Sequence, residues 1–381
     1  MFIYLDNAAT TKPTREVIDS ISNAMEDFFG NPSSSHKLGL ECQKELDRSR
    51  QEIAKTINAS GEEIYFTSSA SEANNLILKG LVKEGTQLIT TSFEHSSSKN
   101  TAAFLETSKS IVTYLSVDSN GFIAMDKLKG SINKNTALVS IIYVNNEVGS
   151  IQNLQEIGEA IKELSPRAKF HVDAVQGYGK LHIDVKKMKI DALTVSAHKI
   201  HGPKGVGFCY LAKGVNPTPL IHGGAQEKGL RAGTENLPGI IGLTTAAINI
   251  IAKKDANYIK VKEIKEYMIE SLGEIDDIRI NSPLNNSFSP YILNVSFIGV
   301  RGEVLMNFLD NEDIFVSTGS ACTSKSKSGF SGSYVLKAMK LSQKEIEGAL
   351  RFSFSPDNTK EEIDITIETL KKGLKLLRRK K

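Results

Sequence analysis

Short apolar runs alternate with helix-like stretches through the first part of the chain, and this order is what most constrains the fold. The runs contain several β-branched residues and lie at 64–66, 87–90, 111–117, 137–144, 169–172, 192–196 and 206–211. Stretches with helical periodicity separate them, for example at 71–81 and 154–164. Parallel strands need long crossover connections, usually helices. The pattern therefore predicts an α/β fold whose seven-stranded, mostly parallel sheet is covered by helices on both faces.

A different pattern begins near residue 253. Strands and helices are then separated rather than regularly alternated, with helices predicted at 256–272, 302–309 and from 360, and strands at 291–297 and 349–354. This order predicts a compact α+β unit. We therefore expect a large α/β domain at 15–255 and a small α+β domain formed by 1–14 and 256–381. A Ser-, Gly- and Lys-rich loop at about 318–333 would belong to the small domain and carry Cys322.

Composition restricts the possible partners and the compartment. Among 381 residues, 47 basic and 44 acidic side chains give a net charge of only +3, which argues against a nucleic acid or a membrane surface as partner. The cysteines Cys42, Cys209 and Cys322 are odd in number and widely spaced, so neither a disulfide framework nor a metal site is expected. We expect a cytoplasmic protein without a signal peptide or a membrane span.

The segment SAHKIHGPKG at 196–205 follows a predicted strand and is the first candidate site. An open α/β sheet binds ligands at the carboxyl ends of its strands. By itself, this segment is explained equally well as a polar turn with a solvated lysine. Asp173, at the end of the preceding strand, makes the functional interpretation stronger, although such a residue is often only a helix N-cap. A lysine amine and an acid for a ring nitrogen are the pair that pyridoxal phosphate requires.

Three further strand ends add polar groups. Residues 67–72 open a predicted helix, whose N-terminal N–H groups favour a phosphate, although an ordinary N-cap explains them too. His95 is either a loop residue or an acid/base group. The segment 145–149 contributes two amides.

Taken together, these motifs resemble the cysteine desulfurases of the NifS/IscS type, a class-V aminotransferase branch of the fold-type I pyridoxal-phosphate enzymes. The resemblance covers essentially the whole chain. It is carried by YLDNAATT at 4–11, GNPSSSH at 30–36, FTSSASEANN at 66–75, EH at 94–95, NNEVG at 145–149, HVDAVQ at 171–176, SAHKIHGPKG at 196–205, HGGAQEKGLRAGTEN at 222–236, STGSACTS at 317–324 and RFS at 351–353.

The resemblance implies a role for each matching residue. Lys199 would form the Schiff base and move the substrate's α-proton, with Lys204 as the second choice. Asp173 would hold the pyridinium nitrogen, Gln176 would bond the ring's phenolic oxygen, and His95 would stack on the ring and transfer protons. The substrate carboxylate would be bound by Asn146, which also lies near the ring, and by Arg351. The phosphate would be bound by Ala70, Ser71, Ser196, His198 and Thr234, the last from the neighbouring subunit of a homodimer.

By the same resemblance, Cys322 would be the nucleophile. It would take sulfur from L-cysteine as a persulfide, release L-alanine and pass the sulfur to an acceptor protein for iron–sulfur cluster assembly or tRNA thiolation. We hypothesise that Lys325 and Lys327 lower the pKa of its thiol, whereas Cys42 and Cys209 are expected to be buried and structural. Two alternatives stay open: an aminotransferase or selenocysteine lyase on the same fold, which does not need Cys322 as a nucleophile, and a sulfur-assembly platform without catalytic activity.

Overall fold

The computed structural model describes residues 2–319 and 332–378. In this part of the chain the strands are β1 (Ile3–Tyr4), β2 (Ile64–Thr67), β3 (Gln87–Thr91), β4 (Ile111–Leu115), β5 (Thr136–Ile142), β6 (Lys169–Asp173), β7 (Ala192–Ser196), β8 (Gly207–Leu211), β9 (Ile278–Ile280), β10 (Ile292–Phe297), β11 (Ile314–Phe315) and β12 (Ala349–Ser353). The helices are α1 (Arg15–Asp27), α2 (Lys37–Lys55), α3 (Ala70–Leu81), α4 (Ser96–Thr107), α5 (Met125–Ser131), α6 (Leu154–Leu164), α7 (Leu237–Ala252), α8 (Lys254–Leu272), α9 (Gly302–Asp310), α10 (Tyr334–Ala338), α11 (Gln343–Glu347) and α12 (Lys360–Leu377).

A seven-stranded sheet forms the centre of the first part of the chain, with the order β2-β8-β7-β6-β5-β3-β4. Strand β8 is antiparallel to both its neighbours, and the other strands run parallel to one another. The predicted fold class and its strands are confirmed. Two strands end earlier than predicted, because Val117 and Val144 form isolated bridges with Ile123 and Ile151 outside the sheet.

Burial on both faces explains the continuous apolar runs of the central strands. Every residue of β3, β7 and β8 is buried, as expected when helices cover a parallel sheet on both faces. Helix α3 packs against this sheet through Leu76, Ile77 and Leu78. Helix α7 packs against α1 and α2. No helix in the described ranges is both long and apolar enough to span a bilayer.

The second part of the chain contains a three-stranded antiparallel sheet in the order β12-β10-β9. Helix α12 packs on α8 and α9 beside it. The N-terminus joins this region, since β1 pairs in parallel with β11 and Asp6 forms a bridge with Ser353. The chain then crosses to the central sheet, where the Thr11 N–H donates to the carbonyl of His198 at 2.8 Å. This crossing places Ala8 and Ala9 beside the candidate site; the proposed domain boundaries stay a prediction.

Candidate active site

One cavity of about 330 Å³ lies at the carboxyl ends of the parallel strands. Its size is within the usual range for small-molecule sites. Apart from Thr234 and the second-choice lysine Lys204, every described residue predicted for the site lines this cavity: Ala70, Ser71, His95, Asn146, Asp173, Gln176, Ser196, His198, Lys199 and Arg351. Its wall also includes Ala8, Ala9, Ser69 and residues 317–319. The candidate residues come from both parts of the chain, because Arg351 belongs to β12.

Lys199 ends a short 3₁₀ turn, Ala197–Lys199, that directly follows β7. Its Nζ donates to the carbonyls of Ala8 and Ala9, both at 2.6 Å. The turn folds back tightly after the lysine, since a Cβ on Gly202 would lie 2.8 Å from the Ala197 carbonyl oxygen. Lys204, the second choice for the reactive amine, is exposed and does not line the cavity.

Asp173 is the last residue of β6 and is buried. The Asn74 amide donates to its Oδ2 at 2.9 Å, and the Val175 N–H donates to its Oδ1 at 3.2 Å. These two donors fix the direction of the carboxylate. Asn74 was not predicted as a site residue, although it lies within the motif at 66–75; its amide also donates to Ser97 Oγ at 2.9 Å.

His95 is the N-cap of α4, and its Nδ1 accepts from the Ser97 N–H at 3.2 Å. Burial lowers the pKa of this imidazole, and the positive charge of Lys199 lowers it further, while Asp173 acts in the opposite direction. Burial, together with the Lys199 charge, also lowers the pKa of His198 to about 4. Both imidazoles are therefore largely neutral near pH 7, and His95 can accept a proton.

The N-terminus of α3 forms one end of the cavity. Ser69 caps the helix, its Oγ accepting from the Glu72 N–H at 3.2 Å, and Ala70 and Ser71 follow as the first helical residues. Because the first N–H groups of a helix lack partners within it, this end favours an anion such as phosphate. Thr234 lines a separate cavity with Glu227 and Arg231, so it does not reach the main cavity of its own chain.

Arg351 forms the opposite side of the cavity. Its Nη2 donates to Asp6 Oδ1 at 2.7 Å and its Nη1 donates to the Asn146 carbonyl at 2.9 Å. Arg351 Nε and Asn146 Oδ1 are buried and have no hydrogen-bond partner among the described residues. Such orphaned polar atoms are costly, and a bound polar ligand would satisfy them. Asp6 was not predicted as a site residue.

Glu147 is a further acidic group that the sequence analysis missed. It is buried, and its Oε2 accepts from Ser333 Oγ at 2.5 Å. Burial raises its pKa to about 7, although the Ser333 hydrogen bond and the charges of Arg351 and Lys99 oppose this effect. A Cβ on Gly319 would lie 2.1 Å from the same oxygen. Glu147 therefore lies against both Gly319 and Ser333, which precede and follow residues 320–331 in the sequence.

The three remaining candidates, Cys322, Lys325 and Lys327, lie outside the described residues. The other two cysteines are buried in α2 and β8, as predicted. Burial raises the pKa of Cys209 well above its ordinary value. A buried neutral thiol is a poor nucleophile.

Comparison with known proteins identifies the family. The model of the aminotransferase class-V family matches residues 3–366. The chain belongs to the class-V aminotransferases. A cysteine desulfurase IscS of Clostridium botulinum is 41% identical over 379 residues, covering 98% of this chain and 94% of that protein. The predicted resemblance to the NifS/IscS type is confirmed.

Solved structures of similar proteins agree with this assignment. A NifS-like protein superposes on this class-V aminotransferase with a TM-score of 0.93 at 35% identity, covering 99% of this chain and all of that one. A structure described as SspA in complex with cysteine has a TM-score of 0.82, also at 35% identity, and covers 94% of this chain and all of that one.

The cavity of this class-V aminotransferase fits the cofactor that the family implies. Pyridoxal phosphate needs an amine for its aldehyde, an acid for its ring nitrogen and an anion site for its phosphate. Lys199, Asp173 and the N-terminus of α3 supply these three groups around one cavity. Arg351 Nε and Asn146 Oδ1, which have no hydrogen-bond partner among the described residues, could bind a second, charged ligand in the same cavity.

Proposed function

We infer that this member of the class-V aminotransferase family is a cysteine desulfurase. It would use pyridoxal phosphate to convert L-cysteine to L-alanine and would place the sulfur on Cys322. The observation that carries the proposal is the arrangement of Lys199, Asp173 and Arg351 around a single cavity. Gly319, which precedes Cys322 closely in the sequence, lines the same cavity. The likeness to proteins named cysteine desulfurase supports the substrate.

The residues of one half of the cavity would hold the cofactor. Lys199 would bind its aldehyde carbon, Asp173 its ring nitrogen and Gln176 its phenolic oxygen, while His95 would stack on the ring. Ala70, Ser71, Ser196 and His198 would bind its phosphate, together with Thr234 of the neighbouring subunit in a homodimer. When bound, pyridoxal phosphate supplies an electron-withdrawing ring that stabilises negative charge at the substrate's α-carbon.

Arg351 would bind the substrate carboxylate. Its guanidinium is positioned by Asp6 and the Asn146 carbonyl, so little side-chain freedom is left to lose on binding. A planar guanidinium can form two parallel hydrogen bonds to a carboxylate, which fixes the orientation of an amino acid as well as its affinity. The side-chain amide of Asn146 lies beside this site.

Protons and sulfur would then be moved by three side chains. The Lys199 amine would carry the α-proton, and the neutral imidazole of His95 would accept the proton of a thiol. The Cys322 thiolate would attack the substrate sulfur, so that an S–S bond forms as the C–S bond breaks. The electron pair of the C–S bond stays with the carbon fragment, which leaves as alanine after protonation.

We further propose that the sulfur passes to an acceptor protein for iron–sulfur cluster assembly or tRNA thiolation, in the cytoplasm. The family resemblance supports these two proposals. Thr234 lies outside the main cavity of its own chain, which supports the homodimer.

Incubation of the purified enzyme with L-cysteine and no keto acid tests the function. We expect L-alanine to form in wild type, no alanine from Lys199→Ala, and wild-type rates from Lys204→Ala, which changes an exposed lysine in the same loop. An aminotransferase would instead consume cysteine only when a keto acid is added. That result, or an active Lys199→Ala variant, would refute the proposal.

A further inference from the structure

Lys180 places a buried amine directly behind the cavity wall. It lies in the turn that follows β6, and its Nζ donates to Gln176 Oε1 at 3.1 Å. The same nitrogen lies 5.3 Å from the ring centre of Tyr291. In the described ranges, no carboxylate forms a salt bridge with it. Burying an ammonium group without a counter-ion is costly, so its surroundings or a bound ligand must offset the cost.

The charges that act on Lys180 belong to the cavity. Burial lowers the pKa of its amine to about 7, and the positive charges of Lys199 and Arg351 add to this effect. Both of these cations line the cavity in front of Lys180. An anionic group bound in the cavity would therefore stabilise all three cations together.

Lys180 and the Ala8 carbonyl bind opposite ends of the Gln176 amide. A backbone carbonyl only accepts hydrogen bonds, so the amide nitrogen must face Ala8 and the amide oxygen is left to accept from Lys180. The amide nitrogen then donates to the Ala8 carbonyl at 2.9 Å. That carbonyl also accepts from Lys199 at 2.6 Å, so the network runs from Lys180 through Gln176 and Ala8 to Lys199. The nitrogen keeps a second hydrogen, and Gln176 lines the cavity.

We propose that Lys180 is a positioning residue that fixes the Gln176 amide as a hydrogen-bond donor to an anionic oxygen on the cofactor ring. The inference rests on the proposed function, which places the phenolic oxygen of pyridoxal phosphate at Gln176. A cation bonded to the amide oxygen polarises the amide and makes its N–H a stronger donor. Without Lys180 the Ala8 carbonyl alone holds the amide, and the amide N–H is a weaker donor to an anionic ring oxygen.

Two ligands separate this role from a purely structural one. Dissociation constants for pyridoxal phosphate and for 3-deoxypyridoxal phosphate, which lacks the phenolic oxygen, are measured on the full-length protein after removal of its cofactor. Wild type is compared with Lys180→Met, Gln176→Leu and the double variant. Lys265→Met is the matched control, because Lys265 is also buried and does not line the cavity. Its amine donates to the Ser289 carbonyl at 3.1 Å.

We expect Lys180→Met to weaken pyridoxal phosphate binding about tenfold, a typical effect of losing a charge-supported hydrogen bond. Binding of the deoxy analogue should change less than about twofold, and Lys265→Met should change the affinity for neither ligand. The double variant should bind pyridoxal phosphate no more weakly than Gln176→Leu alone, because both changes remove the same interaction. Thermal unfolding of each variant checks that it folds. If Lys180→Met does not fold, Lys180→Gln, whose side chain is also neutral, replaces it.

Each contrary outcome has a distinct meaning. If Lys180→Met weakens the binding of both ligands equally, Lys180 only supports the structure. If both affinities are unchanged, Lys180 has no role in binding. Either result overturns the inference, while the proposed function stands. A wild-type protein that binds neither ligand would refute the proposed function, and the inference with it.

Discussion

Replacing Arg351 with lysine tests how the cavity binds its substrate. Lysine keeps the positive charge, but its donors all leave one nitrogen and cannot form a planar fork. Two N–H groups of Arg351 already donate hydrogen bonds, one to Asp6 at 2.7 Å and one to the Asn146 carbonyl at 2.9 Å. A single ammonium group cannot satisfy these acceptors and also form two bonds to a carboxylate.

The size of the effect follows from the lost hydrogen bonds. A hydrogen bond to a charged group contributes about 1.5–3 kcal/mol, and each 1.4 kcal/mol corresponds to about a tenfold change in affinity. For one lost bond to the substrate carboxylate, we expect the KM for L-cysteine to rise about 10- to 100-fold. The value of kcat should fall much less, because the carboxylate is bound alike in the ground state and the transition state.

The assay is the initial rate of alanine formation at increasing L-cysteine concentrations. Visible absorbance confirms that each preparation carries its cofactor. Arg301→Lys is the matched control, since Arg301 is exposed and, within the described part of the chain, forms its salt bridge with Glu303 at 3.1 Å. A variant whose kcat falls while KM stays at the wild-type value would refute the role given to Arg351.

Two predictions concern stability. Burial raises the pKa of Glu94 to about 8 from an ordinary 4.5, so the folded protein holds this proton more tightly than the unfolded chain. Stability should therefore fall as pH rises from about 4.5 to 8, and Glu94→Gln should flatten this decline in urea unfolding; an unchanged slope would contradict the assignment. Glu227 accepts two hydrogen bonds of 2.6 Å from buried Arg50, so Glu227→Gln should lower the free energy of unfolding by about 3–5 kcal/mol. The control Glu345→Gln removes a more exposed pair with Arg279 and should cost less than about 1 kcal/mol; equal losses in the two variants would contradict the prediction.

Local sequence patterns predicted the central sheet and most residues around the cavity. The central strands were visible because their buried runs are apolar on both faces, and a parallel sheet brings its carboxyl ends to one edge. Residues such as Asp173 and Lys199 could therefore be placed near each other without coordinates. Their individual roles came from the family resemblance and stay proposals.

The partners of these residues could not be predicted in the same way. Asp6 is 345 positions from Arg351, and Asn74 is 99 positions from Asp173, so no local pattern connects them. Lys180 lies in a turn whose sequence, GYGK, is ordinary for an exposed lysine. Its burial results from packing of the two parts of the chain, which also places it beside Tyr291.

Mass spectrometry of the Cys322 peptide after reaction with L-cysteine tests whether Cys322 receives the sulfur. We expect this peptide to gain the mass of one sulfur atom and the peptides with the buried Cys42 and Cys209 to gain none. Cys322→Ala should abolish both the gain and sustained alanine formation. Alanine formation at the wild-type rate by Cys322→Ala would contradict the account.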